Sequence, residues 1–184
     1  LMNWFVILGL FAACPKVPME PVLPSGESGV IWVARTPATS GGHVAAPQVL
    51  ADGLVNALAE EGLLVKPVTL DAVSKSLASA RTEEERFQAV LGDQAVEGLV
   101  VVVETRARYF SQLEGRYRWV VDVRAGVAQA DAPDLGVVEV FEVPVFLQFE
   151  HEGEPDAVAA AEPVIRRHVT RLLRRHLGAE PARW

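Results

Sequence analysis

Cysteine is almost absent from this chain of 184 residues, which contains only Cys14. A single cysteine excludes an internal disulfide framework and any metal site built from several cysteines. Positive charge is also scarce, because 17 Lys and Arg residues face 24 Asp and Glu residues and leave a net charge of −7. Non-specific binding to nucleic acid needs an excess of cations that replace the counterions of the phosphates. We therefore expect no nucleic-acid partner.

The sequence motifs of common enzymes are missing as well. The four histidines form no HExxH or HxH pair, and His168 and His176 lie eight residues apart on one predicted helix, too far to chelate one ion together. The chain has no GxSxG nucleophile motif, no GxGxxG and no P-loop. We expect no bound metal, no cofactor and no enzymatic activity, with both helix histidines at the surface or at the edge of the core.

Apolar residues, by contrast, are plentiful. They make up 50% of the chain, while 22% of the residues are charged, which is the composition of a globular domain with a real core. At about 100–200 residues per domain, the length allows one domain plus a leader or a tail.

The leader is the segment with the most information. Residues 4–13 form an unbroken run of ten apolar residues (WFVILGLFAA), whereas a helix that crosses a bilayer needs about 20. A run of roughly 7–15 apolar residues that ends in small side chains is typical of a secretory signal peptide. We interpret residues 1–13 as such a signal peptide. Because no Lys or Arg precedes the run and Leu1 is an unusual first residue, we expect the true start to lie upstream.

The end of this run, Phe11-Ala12-Ala13-Cys14, resembles the lipobox of bacterial lipoproteins. The resemblance implies that Cys14 is lipidated and becomes the first residue of the mature chain. Pro15 follows it, whereas Asp at that place marks retention in the inner membrane of enteric bacteria. The resemblance therefore implies an outer-membrane anchor with the domain in the periplasm. The alternative interpretation is an N-terminal core helix that carries an inert, buried Cys14.

The segment that follows Cys14 favours the lipoprotein interpretation. Residues 15–29 contain four prolines, two glycines and two serines, a composition that excludes a helix and favours an extended, semi-rigid spacer. We interpret residues 14–29 as the lipidated cysteine and its tether, residues 30–178 as the folded domain and residues 179–184 as a C-terminal tail.

Hydrophobic patterning predicts one α+β domain, in which helices pack on a mixed β-sheet. Its elements follow one another in the order β-α-β-α-α-β-β-β-α. We predict strands at 30–34, 63–68, 99–110, 117–127 and 137–149, and helices at 46–61, 71–80, 82–91 and 155–177.

Several elements carry more detailed signals. The run LVVVV at 99–103 predicts a central strand that is buried on both faces. The alternation of apolar and polar residues in 117–127 predicts a strand with one packed side. Pro144 predicts a bulge or an edge position in its strand, and Pro163 predicts that the last helix starts or kinks there.

The ends of the predicted helices are marked by capping residues. Gly62 stands where a C-terminal glycine cap belongs. Thr82 with Glu85 matches the capping box at the start of a helix. Asp71 is a candidate N-terminal cap for the helix predicted at 71–80.

Two groups of side chains are candidates for binding a partner. Arginines cover one face of the last helix and suit an acidic partner or anionic headgroups, although a solvated face that complements the helix C-terminus is the alternative. Aromatic residues and arginines interleave around the turn 111–115 and are typical of interface hot spots, although they also fit an ordinary sheet over a core. The candidate residues are Arg166, Arg167, Arg171, Arg174, Arg175, Tyr109, Phe110, Tyr117 and Trp119.

Two further features have ordinary structural interpretations. Gly41-Gly42-His43 reads as a connecting loop, with anion binding by its backbone as the alternative. The acidic runs at 83–85 and 150–156 read as solvated helix caps, because negative charge stabilises a helix N-terminus.

The folded part also resembles a known family. The segments Val30-Ile31-Trp32-Val33-Ala34, 68–73, 87–91 and 96–101 follow the element order and hydrophobic texture of a periplasmic domain. That domain is shared by CsgG-type curli-secretion lipoproteins, the penicillin-binding-protein activator LpoB and the N-terminal domain of TolB. The resemblance covers about four-fifths of the chain and implies a lipid-anchored periplasmic domain that binds other envelope proteins.

Together these observations lead to one expected function and one rival. We expect a lipid-anchored, non-enzymatic adaptor or assembly subunit of the cell envelope, with the membrane and another envelope protein as its partners. The rival is a periplasmic domain that binds a small ligand or a cell-wall fragment in a cleft beside Gly41-Gly42-His43 or the arginine helix.

Overall fold

The computed structural model describes residues 28–39, 41–92 and 98–178. The predicted signal peptide, Cys14 with most of the tether, and the tail 179–184 lie outside the described residues. The described ranges contain six strands and four helices. They are β1 (Ser28–Arg35), β2 (Val44–Ala45), α1 (Gln48–Glu60), β3 (Leu64–Pro67), α2 (Leu70–Ser79), α3 (Glu83–Leu91), β4 (Leu99–Leu113), β5 (Arg116–Gln129), β6 (Ala132–Leu147) and α4 (Glu154–His176).

The strands form one mixed sheet. Its order is β2-β1-β4-β5-β6, and β3 also pairs with β1. β1 is parallel to β3 and β4, whereas β4, β5 and β6 form an antiparallel meander. α1 and α4 pack on one face of the sheet, and α2 and α3 pack on the other. The predicted α+β class and element order are confirmed, and the structure adds the two-residue strand β2.

β4 is the central strand that its valine run predicts. Every residue from Leu99 to Val103 is at most 4% exposed. Leu99, Val101 and Val103 belong to the core beneath α1 and α4, and Val100 and Val102 belong to the core beneath α2 and α3. Successive side chains of a strand point to opposite faces, so an unbroken apolar run is satisfied only where helices cover both sides.

The prediction of one packed side is right for only part of β5, because Ala128 on the opposite face is fully buried in the core beneath α2 and α3. Val121, Val123 and Val127 are at most 1% exposed in the core beneath α1 and α4. Asp122 and Arg124 lie on the opposite face and are partly exposed.

The strands of the meander are longer than predicted. Only Glu114 and Gly115 connect β4 to β5, in place of the predicted turn 111–115, and their φ angles of 49° and 75° are the left-handed values of a two-residue hairpin. The predicted start of the last strand at residue 137 is wrong, because β6 begins at Ala132, which pairs with Gln129.

α1 ends at the predicted glycine. Gly62 has a φ of 88°, its N–H donates to the carbonyl of Ala59, and the N–H of Leu63 donates to the carbonyl of Leu58. This pair of hydrogen bonds is the Schellman motif, which needs a residue in the left-handed region.

The helix-start predictions have different outcomes. Thr82 Oγ1 accepts a hydrogen bond of 3.1 Å from the N–H of Glu85, and the Glu85 carboxylate accepts one from the N–H of Thr82, so the capping box is confirmed. The prediction for α2 is wrong, because Thr69 occupies the N-cap position and Asp71 lies in the first turn. There the Asp71 charge still complements the helix dipole.

Replacing the capping threonine should destabilise the domain moderately. We expect Thr82→Ala to lower the free energy of unfolding by about 1 kcal/mol, because an N–H of the first turn loses its acceptor. Urea unfolding followed by circular dichroism measures this change. Thr82→Ser keeps the hydroxyl and should unfold like the wild type, and equal losses in both variants would contradict the role of the cap.

The two prolines also have different outcomes. Pro144 lies in β6 with its pairing to Val120 intact, and β6 is the edge strand, so the edge position is confirmed. α4 does not start at Pro163 but at Glu154, next to the start predicted at residue 155, and the alternative of a kink at Pro163 stays a prediction. Burial of Ala161 and Ile165, both fully inaccessible, holds the helix together across the hydrogen bond that proline lacks. No helix in the described ranges has the length and hydropathy of a membrane span.

Candidate functional site

One end of the meander exposes a concentration of large apolar side chains. The last buried residue of β4 is Ala107. We call residues 108–119 together with residues 144–149 the hairpin end. Large apolar side chains that lie close together at a surface mark interaction sites. Those of the hairpin end that are 50–57% exposed are Tyr109, Phe110, Leu113, Phe146 and Phe149.

The structure divides the predicted aromatic residues between two faces of the sheet. Tyr109 and Trp119 pair across β4 and β5, and their rings meet edge to face at 5.7 Å. Tyr117 and Trp119 pack half-buried against the core beneath α4. Phe110 lies on the opposite face, where the guanidinium of Arg118 stacks over its ring at 4.6 Å. Successive side chains of a strand point to opposite faces, which separates Phe110 from Tyr109. The register shift between Tyr109 and Ser111 then brings Leu113 to the face of Phe110.

A second set of residues joins Phe110 on that face. Leu113 pairs with Arg116 in the β4–β5 register, and Arg118 pairs with Phe146 in the β5–β6 register. Directly opposed side chains in antiparallel strands share a face. We call Phe110, Leu113, Arg116, Arg118 and Phe146 the tip patch. Leu113 and Phe146 were not predicted as binding residues, since only the strand register brings them beside the arginines.

The arginines on this face differ in their partners. Arg108 donates from Nε to Asp122 at 3.1 Å and from Nη2 to Glu142 at 2.8 Å. Arg116 and Arg118 form no ion pair with any described residue. The Nε of Arg118 is buried and has no acceptor within the described part of the chain. The tip patch therefore contains guanidinium groups that can still donate hydrogen bonds to a carboxylate.

The arginine face of α4 is largely paired with carboxylates of the same chain. Arg174 donates from Nη2 and Nε to Glu61 at 2.6 and 3.0 Å, and Arg166 lies 2.9 Å from Glu162. Arg167 is exposed and has no ion-pair partner in the described ranges. Arg166, Arg167, Arg171 and Arg174 line an open groove of about 600 Å³ between α1 and α4.

The other two arginines of α4 converge on Glu139 of β6. Arg171 and Arg175 lie 2.8 and 3.6 Å from its carboxylate oxygens, and Nδ1 of His168 lies 3.0 Å away. Burial raises the pKa of Glu139, but the hydrogen bond with His168 and the charge of Arg171 outweigh it and leave the pKa lowered. The His168 ring stacks on Phe141 at 4.1 Å, which places this histidine at the edge of the core as expected.

A further charged cluster surrounds Glu104 of β4. It was not predicted from the sequence. Arg86 of α3 donates from Nη1 to both carboxylate oxygens at 2.7 Å, and Nε2 of His43 lies 3.1 Å away. Burial raises the pKa of Glu104, and the hydrogen bond with His43 together with the charge of Arg86 lowers it by more. The His43 ring also meets the buried Trp32 ring edge-on at 5.1 Å. His43 therefore fastens the Gly41-Gly42-His43 loop to the sheet.

The acidic residues before α4 act as predicted. Glu152 accepts two backbone N–H groups of the preceding turn, and Asp156 accepts the N–H of Gly153 at the start of the helix. Glu154 pairs with Arg35 at 2.9 Å. These carboxylates stabilise the connection between β6 and α4.

Comparisons with known proteins give distant structural likenesses. No family model and no curated protein matches the chain. Protein XCC0632 from Xanthomonas campestris, of the family DUF330, matches with a TM-score of 0.43 and 15% identity over 88% of this chain and 89% of its own. PelC from Paraburkholderia phytofirmans, solved as a dodecamer, matches at 0.40 and 14% over 88% and 94%. Lipoprotein GNA1162 from Neisseria meningitidis matches at 0.40 and 11% over 78% and 99%. These values are too low to assign a family or an activity, and the resemblance to CsgG, LpoB and TolB stays a prediction.

Proposed function

We propose that this chain is a lipid-anchored protein of the cell envelope that binds another envelope protein without catalysing a reaction. In this proposal Cys14 carries the lipid, and the folded domain faces the periplasm from the outer membrane. The exposed aromatic and arginine side chains of the hairpin end are the observation that carries the binding role.

The proposed anchor rests on the leader. The apolar run 4–13, the small residues before Cys14 and the proline-rich segment behind it are what a lipidated cysteine with a spacer requires. Each buried CH₂ of an acyl chain contributes about 0.8 kcal/mol, so two or more chains hold a protein stably on a membrane. Tethering also raises the concentration of the domain near membrane-associated partners.

The proposed binding role rests on the chemistry of the hairpin end. Aromatic residues and arginine provide most of the binding energy at protein interfaces, because they bury large areas and form directional hydrogen bonds. Phe110 and Phe146 are each at least half exposed, although burial would stabilise them. An adaptor surface of this kind needs no catalytic group.

The rival function, binding of a small ligand or a cell-wall fragment, has weaker support. A ligand pocket encloses its ligand and presents a few convergent polar groups. The groove between α1 and α4 is open, and Arg166 and Arg174 in its wall already pair with Glu162 and Glu61. A cavity of about 240 Å³ includes Glu104, which is hydrogen-bonded with His43 of the Gly41-Gly42-His43 loop and paired with Arg86.

Replacing the proposed lipidation site should release the protein from the membrane. We expect the full chain with Cys14→Ser to move from the membrane fraction to the soluble or unprocessed fraction, and to lose incorporation of a palmitate analogue. Ser25→Ala, a conservative change in the same segment, serves as the control and should behave like the wild type. A Cys14→Ser variant that stays in the membrane fraction at wild-type levels would overturn the anchor.

A further inference from the structure

The two ends of the sheet have different positions relative to the start of the domain. β1 is parallel to β4, and Gly29 pairs with Leu99, the first residue of β4. The described chain therefore begins at the end of the sheet where β4 begins. β4 then runs 15 residues to Leu113, which places the hairpin end about 45 Å away at roughly 3.3 Å per residue.

This separation disfavours contact between the tip patch and the membrane that holds the proposed anchor. Residues 14–27 span at most about 50 Å when fully extended. To bring the tip patch to that membrane, they would have to run back along nearly the whole length of the sheet. Such extension has a large entropic cost, whereas a partner at a distance from the membrane is reached without it.

The chemistry of the tip patch indicates what such a partner presents. Its apolar side chains, Phe110, Leu113 and Phe146, are each 50–57% exposed. Arg116 and Arg118 stand among them without a carboxylate from the described residues, including Glu114 of the turn.

Arg108, on the same face, shows which chemical group can serve as the partner of Arg118. Arg108 is satisfied by two carboxylates, Asp122 and Glu142, at 3.1 and 2.8 Å. A planar guanidinium binds a carboxylate through two parallel hydrogen bonds, which adds orientation as well as energy. A partner's carboxylate cannot reach the buried Nε of Arg118. At the terminal Nη groups it would give this arginine a charged partner, as Arg108 has, and leave the Phe110 and Phe146 rings free to bury apolar contacts.

We infer that the tip patch is the docking surface for an acidic segment of a partner protein, in which a carboxylate binds Arg118 and flanking apolar side chains cover Phe110 and Phe146. This inference rests on the proposed adaptor function and adds to it the surface and the chemistry of the partner. The partner lies away from the anchoring membrane, on the side to which the hairpin end projects.

Site-specific photocrosslinking in intact cells tests the inference with the full, anchored chain. Benzoylphenylalanine replaces Phe110 or Phe146 in the tip patch, and Val49 or Leu64 as exposed controls elsewhere, which are 53% and 66% exposed. We expect adducts with one protein from both tip positions and none from the controls. Mass spectrometry should place the crosslink in a segment of that protein that contains Asp or Glu.

Charge reversal in the same background gives the deciding comparison. Arg118→Glu should reduce the adduct from Phe146 at least tenfold, and Arg118→Gln should reduce it less. Arg167→Glu changes an exposed, unpaired arginine of α4 and should leave the adduct unchanged. A melting temperature within a few degrees of the wild type shows that each variant is folded.

Each of the other outcomes overturns the inference in a distinguishable way. Adducts with lipid or with a second copy of this chain would replace the acidic partner by another occupant. Adducts from benzoylphenylalanine at Arg167 but not from the tip would overturn the tip patch and leave the adaptor function standing. Adducts from none of these positions, with Cys14 still lipidated, would overturn the adaptor function as well.

Discussion

Glu104→Gln should lower the free energy of unfolding by about 2 kcal/mol at neutral pH, since it removes the charge that compensates a half-buried arginine. The Glu104 side chain is 13% exposed and lies between Arg86 and His43. Because these partners come from α3 and from the segment before β2, the carboxylate joins two elements to the central strand. Chemical denaturation at pH 7 measures the loss.

The same variant should show how this stabilisation depends on pH. The pKa of Glu104 is lowered in the folded protein. The contribution is therefore fully present above the unfolded value of about 4.3 and is lost as the pH falls through the lower folded value. We expect the difference between wild type and Glu104→Gln to be present at pH 7 and at pH 5 and to shrink below about pH 4.

Glu142→Gln is the matched control, because Glu142 pairs with Arg108 but its side chain is 63% exposed. Surface ion pairs contribute about 0–1 kcal/mol, so this variant should unfold close to the wild type at every pH. A loss at Glu104 no larger than the loss at Glu142 would contradict the stabilising role of the Glu104 cluster.

Gly98→Ala should destabilise the domain by roughly 3 kcal/mol or more, because it combines an unfavourable backbone conformation with a steric clash. Gly98 has a φ of 118°, and a Cβ at this position would lie within 1.8 Å of the carbonyl oxygen of Ser28. The clash involves backbone of β1, which cannot move without breaking its pairing with β4. Thermal and urea unfolding measure the loss.

Gly62→Ala separates the two contributions. Gly62 also has a positive φ, 88°, but a Cβ there would have no neighbour within 4 Å. Gly62→Ala should therefore lower the free energy of unfolding only through its unfavourable backbone conformation, by about 1 kcal/mol. Similar losses in the two variants would show that β1 and Gly98 are not in close contact.

Much of the fold could be predicted from local patterns. The valine run 99–103 indicated a strand covered on both sides, and the alternation in 117–127 indicated a strand with one packed side. Thr82 with Glu85 and the position of Gly62 indicated helix ends. Each of these signals depends on residues within a few positions of one another, so they can be read without knowledge of the tertiary structure.

The candidate site could be predicted only in part. The aromatic and arginine residues around the turn 111–115 were identified, but not their division between two faces. That division follows from the alternation of successive side chains, and the bulge after Tyr109, which has no strong sequence signal, adds Leu113 to the face of Phe110. Phe146 was missed because it reaches Arg118 only through the β5–β6 register. The Glu104 cluster was missed because His43 lies 61 residues and Arg86 lies 18 residues from that carboxylate.

By itself, then, the amino-acid sequence determined the α+β class, the order of the main strands and helices, and the residues that line the core, since periodicity and capping are local. Only the tertiary structure decided which charges are neutralised. Arg174 meets Glu61 across 113 residues, and Arg35 meets Glu154 across 119. Helix docking and strand register create these pairs, and they leave Arg116 and Arg118 without one among the described residues. Four of the five arginines on α4 have such a partner, whereas neither arginine of the tip patch has one, and this difference distinguishes the two surfaces.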